Sequence, residues 1–272
     1  MDFKLGFVGT GNMGSAVIKS LVKANFLPGD KISMFDVDKN KLEKLKIETG
    51  VGYMSSAKEV VQWSDIIILA VKPNILKNVL EDLKPQIDDK KVIVSFAVGI
   101  PISFYEEILG TDKKIVRTMP NTPAMVGEGM TLVCENRNVT EAELTIVKNL
   151  FDCTGKCEVL PEKLMTEVTA LTGSSPAYVF MFIEAMADAA VLSGIPRDMS
   201  YRLAAQAVLG SAKMVLETGL HPGILKDQVC SPGGTTIEAV ASLEKNGFRY
   251  AIMEAMDQCT KKAKLVGEEF NK

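Results

Sequence analysis

The chain has 272 residues, of which 47% are hydrophobic, and its 31 basic and 34 acidic residues leave a formal net charge of −3. That length and apolar content allow one large domain or two ordinary ones with a sizeable core and no extended disorder. The near balance of charge gives no electrostatic ground for binding nucleic acid or an anionic membrane surface, so a small-molecule substrate is expected.

Met1-Asp2 runs directly into an apolar strand, without the basic start or long apolar region of a secretory signal, and a cytoplasmic protein is expected. The most apolar long stretch, Ala177 to Leu192, carries Glu184 and Asp188 and is shorter than the roughly 20 residues of a membrane helix, so no membrane span is expected. Cys134, Cys153, Cys157, Cys230 and Cys259 are odd in number and scattered, the pattern of free thiols. The single histidine, in His221-Pro222-Gly223, sits in turn composition, and no metal site is expected.

The first element is a strand from Phe3 to Val8, followed by Gly9-Thr10-Gly11-Asn12-Met13-Gly14 and a helix start. This is the G-x-G-x-x-G spacing of a dinucleotide site: Gly9 permits the tight turn, Gly11 admits a pyrophosphate to the backbone, and Gly14 lets helix and strand pack closely. The helix N-terminus adds amide donors and a favourable dipole for the anion. A second strand, Lys31 to Phe35, ends in Asp36, at the distance where an acid takes adenosine ribose hydroxyls; a helix cap or turn is the alternative role for Asp36.

Further strands are predicted at Asp65–Val71, Lys91–Ala97, Lys114–Arg117, Thr131–Cys134 and Lys156–Leu160, with helices at Ala57–Trp63, Ile75–Leu83 and Glu141–Phe151. Alternation of this kind predicts an α/β fold, a Rossmann-like mostly parallel sheet with helices on both faces. The ligand crevice then lies beyond the carboxyl ends of the strands. The loops there are Ala70-Val71-Lys72-Pro73, the turn after Ala97, and Met119-Pro120-Asn121-Thr122-Pro123.

Near Pro161 the β-branched alternation stops, dividing a dinucleotide-binding domain, 1–161, from a helical domain, 162–272. Helices are expected at about 164–193, 197–218, 222–229, 235–246 and 247–270. The helix through Phe180, Met181, Phe182, Ile183 and Met186 is apolar on nearly every side, and a domain of this size can hardly enclose it. A second subunit is expected to cover it, with Ala204, Ala205, Ala207 and Gly210 permitting close helix contacts.

Cys230-Ser231-Pro232-Gly233-Gly234-Thr235-Thr236-Ile237-Glu238 places two glycines before a helix, with Thr235 and Glu238 in capping-box spacing. Exposed amides and the helix dipole make a carboxylate a suitable guest. Hydroxy acid dehydrogenases of similar layout carry a lysine as proton donor soon after the position of Ser174-Ser175-Pro176, whereas here Tyr178 is followed by Val179, Phe180, Met181 and Phe182. A cyclic imine, protonated before binding, needs no such lysine.

Taken together, Gly9 to Gly14, Ala70 to Pro73, Met119 to Pro123, Gly173 to Tyr178 and the stretch from His221 to Thr236 resemble the pyrroline-5-carboxylate reductase family along the whole chain. The resemblance implies a Rossmann domain followed by a helical dimerisation domain, as a homodimer that assembles into larger rings such as a decamer. It implies reduction of L-1-pyrroline-5-carboxylate to L-proline with NADPH or NADH. On that basis Gly9, Thr10, Gly11, Asn12, Met13, Gly14, Asp36, Ala70, Val71, Lys72, Pro73 and Ala97 would bind cofactor. Ser231, Gly233, Gly234 and Thr235 would hold the substrate carboxylate, and the Thr236 hydroxyl would face the ring nitrogen as the catalytic group. Members that prefer NADPH commonly have small hydroxyl residues where Asp36 stands, which leans the expectation toward NADH unless Lys39 and Lys41 offset the acid. A β-hydroxy acid dehydrogenase and a non-catalytic NAD(P)-binding sensor are the alternatives.

Overall fold

A computed structural model describes residues 2–268. Eight strands form one sheet: β1 (Leu5–Val8), β2 (Ile32–Phe35), β3 (Gly52–Tyr53), β4 (Ile66–Leu69), β5 (Val92–Ser95), β6 (Lys114–Met119), β7 (Gly129–Glu135) and β8 (Gly155–Val159). Their order is β3-β2-β1-β4-β5-β6-β7-β8, parallel throughout except for the antiparallel pair β6–β7. Helices α1 (Asn12–Lys23), α2 (Lys39–Thr49), α3 (Ala57–Trp63), α4 (Pro73–Leu83), α5 (Ile102–Leu109) and α6 (Glu141–Asp152) connect them.

The central strands are continuous apolar runs because both faces of the sheet are covered. Side chains alternate across the pleat, so Ile66 and Ile68 of β4 join Phe7, Val92 and Val94 in one core while Ile67 and Leu69 join Ile93 and Ile115 in the other. The fold class is as expected, but α5 and the two-residue β3 were not foreseen, and β1 begins at Leu5 rather than Phe3. Burial pushes the thiols of Cys134 and Cys157 up to about 12, which keeps them protonated.

The strand order reverses between β1 and β4, where Leu5 pairs with Ile66 and Val8 with Leu69. Their carboxyl ends are thus level, and the turn at Gly9 stands beside Ala70. A crevice at such a switch point is the binding site of open α/β sheets.

Beyond β8 the expected helix 164–193 is broken. Short 3₁₀ turns at Glu162–Leu164 and Glu167–Ala170 precede α7 (Ser175–Leu192), because Gly173 and the proline at the start of α7 interrupt the helix. The remaining helices, α8 (Arg197–Thr218), α9 (Pro222–Val229), α10 (Thr235–Lys245) and α11 (Phe248–Glu268), lie close to their predicted spans. His221 caps α9, its Nδ1 accepting from the Gly223 amide at 3.0 Å.

The chain separates into two compact units, one running to Gly173 and including the stretch from Cys259, the other spanning Ser174–Gln258. The change of composition near Pro161 comes before this division. Residues 162–173 pack on the sheet unit: Met165 is buried in its core, and Glu162 Oε1 accepts from the Ile102 amide at 2.7 Å and from Arg117 at 3.3 Å.

Within the second unit, α7 packs on α8 yet buries only Ala187, and α8 only Ser200 and Ala204. Phe180 is 62% exposed and Met181 69%. Asp188 accepts from Arg197, and Phe182 meets Phe248 with ring centroids 6.1 Å apart. By length and composition alone the stretch Glu167–Leu192 is apolar enough to cross a membrane, but it is broken into the 3₁₀ turn Glu167–Ala170 and the 18-residue α7.

Candidate active site

The glycine-rich turn is built by close approach. Gly9 has φ +101°, and a Cβ there would stand 2.6 Å from the Ala70 carbonyl oxygen. At Gly14 a Cβ would stand 2.5 Å from the Gly9 oxygen, whereas at Gly11 nothing lies within 4 Å. The first and third glycines are therefore needed for packing, and the second opens space in front of α1. Gly11 is the helix N-cap and supplies no side-chain hydrogen bond to the first turn. Those amides are left for an anion, which is the fit a dinucleotide pyrophosphate requires.

A cavity of about 360 Å³ lies beside this turn, lined among others by Gly9, Gly11, Phe35, Asp36, Val37, Lys41, Ala70, Val71, Lys72 and Ile75. Thr10, Gly11 and Asn12 line a separate hollow of about 330 Å³ with Lys19, Lys41 and Lys44. Of the other expected cofactor residues, Pro73 begins α4, Met13 packs against the core, and Ala97 is buried in the second core and lines neither space. Val37 and Ile75 were not among the expected residues, and Lys41 was expected only as an offset to the charge of Asp36; the position of Ile75 just past β4 was the available signal.

Asp36 does not cap a helix, for Asp38 caps α2 by accepting from the amides of Asn40 and Lys41. Instead Asp36 Oδ2 accepts from the Thr10 amide at 2.7 Å and the Thr10 hydroxyl at 3.1 Å, and Oδ1 accepts from the Asp38 amide at 2.9 Å. Partial burial pushes the carboxyl upward, but the Asp38 and Thr10 amides, with the Thr10 hydroxyl and the charge of Lys41, together hold it below the usual carboxylate value. The second hydroxyl bond in this region, from Ser15 Oγ to the Thr10 carbonyl at 2.7 Å, fixes the turn from its other side.

Of the remaining loops at the carboxyl ends, the one after β6 has its central residue committed to structure: Asn121 donates to the Thr172 carbonyl at 3.0 Å and accepts from the Met130 amide at 2.9 Å.

In the helical unit, the expected capping box at Thr235 and Glu238 is not formed. Gly234 is the N-cap of α10 and gives no side-chain hydrogen bond, so Thr235 is the first helical residue and the spacing to Glu238 is one residue out of phase. The amides of Thr235, Thr236 and Ile237 are therefore left without a capping side chain. Ser231 and Gly234 close the turn, the Gly234 amide donating to the Ser231 carbonyl at 3.0 Å, and a Cβ on Gly234 would stand 2.3 Å from Ser231 Oγ. Gly233 has φ +65°, which suits glycine. Thr236 is half-buried, and among the described residues its hydroxyl has no hydrogen-bond partner. This turn is a second small anion cradle with a hydroxyl at its edge.

Comparison with known proteins bears on both units. Residues 162–266 match the family described as pyrroline-5-carboxylate reductase dimerisation, and residues 4–99 that described as NADP oxidoreductase, coenzyme F420-dependent. The chain is 51% identical over 269 residues to the pyrroline-5-carboxylate reductase of Escherichia coli (strain K12), covering 98% of this chain and 100% of that one. The chain belongs to the pyrroline-5-carboxylate reductase family. A second member, from Methanosarcina acetivorans, is 43% identical with 98% of each chain covered. The crystal structure of Plasmodium falciparum pyrroline carboxylate reductase with NADP bound matches with a TM-score of 0.89 and 38% identity, covering 98% of each chain.

Membership makes this chain an NAD(P)H-dependent oxidoreductase of the Rossmann-plus-helical plan, and it carries the family's dimerisation region. That region includes α7, so its apolar exposed surface has a use in oligomerisation.

Proposed function

We propose that this reductase converts L-1-pyrroline-5-carboxylate to L-proline, that residues 1–161 hold the coenzyme, and that residues 162–272 bind substrate and form a homodimer, itself built into a decamer. The observation that carries the reading is the turn Ser231–Thr236, where uncapped amides and an unpaired hydroxyl stand together in a family whose members reduce a small imino acid.

The coenzyme, when bound, supplies the hydride. Gly9, Thr10, Gly11, Asn12, Met13 and Gly14 seat its pyrophosphate on the amides of α1, and Ala70, Val71 and Lys72 form the wall of the adjoining cavity on the side of the loop after β4. The amides after Gly234, with Ser231 and Gly233 shaping the turn, donate to the substrate carboxylate, and Thr236 Oγ1 orients the ring nitrogen by a hydrogen bond. With the imine already protonated from solvent, hydride addition to its carbon yields the amine directly, and no lysine is required. The absence of lysine from Val179 to Phe182 speaks against a β-hydroxy acid dehydrogenase, and a mere sensor has no need of a second cradle. This reading places the enzyme in the cytoplasm, with no nucleic-acid or membrane partner.

The experiment is a coenzyme oxidation assay on the purified chain with pyrroline-5-carboxylate, with proline measured as product. Proline formed in proportion to coenzyme oxidised supports the reading. Oxidation with a hydroxy acid's keto form instead, or coenzyme binding without turnover on either substrate, overturns it.

A further inference from the structure

The loop after β5 stands beside the loop that walls the cavity at Gly9. Leu69 of β4 pairs with Ser95 of β5, and the Phe96 amide donates to the Leu69 carbonyl at 3.0 Å, so the chain leaves both strands at one level. Residues 97–101 therefore form the next stretch of the crevice rim. They are held at three points, all within the sheet unit.

At the start of the loop, Ser95 Oγ accepts from the Ala97 amide at 3.2 Å and from the Tyr105 hydroxyl at 2.6 Å. Burial pushes the Tyr105 hydroxyl above its ordinary value, so it stays protonated and remains the donor. In the middle, a Cβ on Gly99 would stand 3.4 Å from Val266 Cγ1, and one on Gly267 3.4 Å from the Gly99 oxygen, so the end of α11 lies along the loop. At its far end, Pro101 gives α5 no side-chain cap, and the Ile102 amide donates instead to Glu162 Oε1 at 2.7 Å. Arg117 Nη1 donates to the same oxygen at 3.3 Å.

The Arg117 side chain is only 7% exposed, and that of Glu162 39%. An ion pair drawn this far out of water is a poor source of stability, since apolar residues in its place often serve as well. What it supplies is a fixed position. Glu162 is tied to β6 through Arg117, and its carbonyl accepts from the amide of the buried Met165 at 2.9 Å. Lys264 Nζ, 3.0 Å from Glu167 Oε1, joins α11 to the same segment.

Resting on the reading of the sheet unit as the coenzyme site of a reductase, we propose that Glu162 is a positioning residue for the reductive step. By holding the Ile102 amide while Tyr105 holds the other end through Ser95, it keeps residues 97–101 from shifting along the crevice. Neither side chain lines the cavity beside the Gly9 turn, so their effect falls on rate and not on coenzyme affinity.

The test compares the full-length wild type with Glu162→Ala, Glu162→Gln and Tyr105→Phe. It measures kcat with pyrroline-5-carboxylate, the coenzyme dissociation constant by fluorescence titration, and the isotope effect on kcat with coenzyme deuterated at the transferred position. Glu162→Ala is expected to lower kcat about ten- to a hundredfold and to raise the isotope effect, with the dissociation constant within about threefold of the wild type. Glu162→Gln keeps an acceptor for the Ile102 amide and is expected to recover kcat to within about fivefold. Tyr105→Phe removes one oxygen and keeps the buried ring, so it tests the clamp even where Glu162→Ala fails to fold; its kcat is expected to fall about three- to tenfold with the same split. Lower stability in urea with kcat and isotope effect unmoved makes these contacts merely structural and overturns the proposal. A loss of coenzyme affinity as large as the loss of kcat overturns it as well. A wild type without turnover overturns the reductase reading and this proposal with it, whereas wild-type turnover with unmoved variants overturns the proposal alone.

Discussion

The two units of this chain solve the problem of burial differently. In the sheet unit, β1, β4 and β5 are buried along their whole length, and helices supply a core on each face. In the helical unit, α7 through α10 bury only Ala187, Ser200 and Ala204, while Phe180, Met181, Leu203 and Leu216 face outward. The contrast teaches that one half of the molecule is complete within a single chain and the other half is not. A parallel sheet presents two flat apolar faces that its own crossover helices can cover, whereas a helix that is apolar all round needs neighbours on every side.

The largest expected effect breaks the helical side of this comparison. Phe180→Asp, by setting a charge in the apolar surface of α7, is expected to turn the oligomer into monomer at micromolar concentration in light scattering, since each large side chain covered contributes about 1.5–3 kcal/mol. A wild type that is already monomeric would remove the contrast altogether. Next comes a change confined to the sheet side. Gly9→Ala sets a Cβ 2.6 Å from the Ala70 carbonyl oxygen at a φ of +101°, and is expected to lower stability by roughly 2–3 kcal/mol in denaturant titration and to abolish coenzyme binding, with the oligomer retained.

A smaller effect separates the two cradles by function. Thr236→Ala is expected to cut kcat about ten- to a hundredfold while the dissociation constant for coenzyme stays as it was, because only the hydrogen bond to the ring nitrogen is lost. The smallest concerns acid. Because the folded carboxyl of Asp36 sits below its unfolded value, its contribution to stability is complete above about pH 4 and fades as pH falls through the lower folded value. The stability gap between wild type and Asp36→Asn in urea titrations is therefore expected to hold from pH 7 to about pH 5 and to narrow below about pH 4. A gap that widens on acidification would mean that Asp36 is not the clamped anion described above.

Where sequence reasoning fell short, the cause lay in contacts between distant residues. The helix expected from 164 runs instead as 3₁₀ turns to Ala170, since Met165 and Glu162 are drawn onto the sheet unit by the core and by the Ile102 amide. Thr235 and Glu238 have the spacing of a capping box, but the turn closed by Ser231 makes Gly234 the cap and moves both one place into the helix. Asp36 could be placed after β2 from spacing alone. That its oxygens are held by Thr10 and Asp38 depends on β1 and β2 lying side by side, with the Gly9 amide donating to the Phe35 carbonyl at 2.8 Å.

Local pattern alone determined the strands other than β3, the glycine turn before α1, the glycine turn before α10 and the apolar character of α7, because periodicity, glycine spacing and the need to bury apolar surface act over a few neighbouring residues. Only the tertiary structure decided that Asp36 is clamped rather than a cap, that Ile75 lines the cavity beside the Gly9 turn, that residues 162–173 pack with the sheet unit, and that α7 stays uncovered within one chain. Each of these depends on which surfaces meet across the fold, and a hydrogen bond or a buried face exists only once both partners have been brought together.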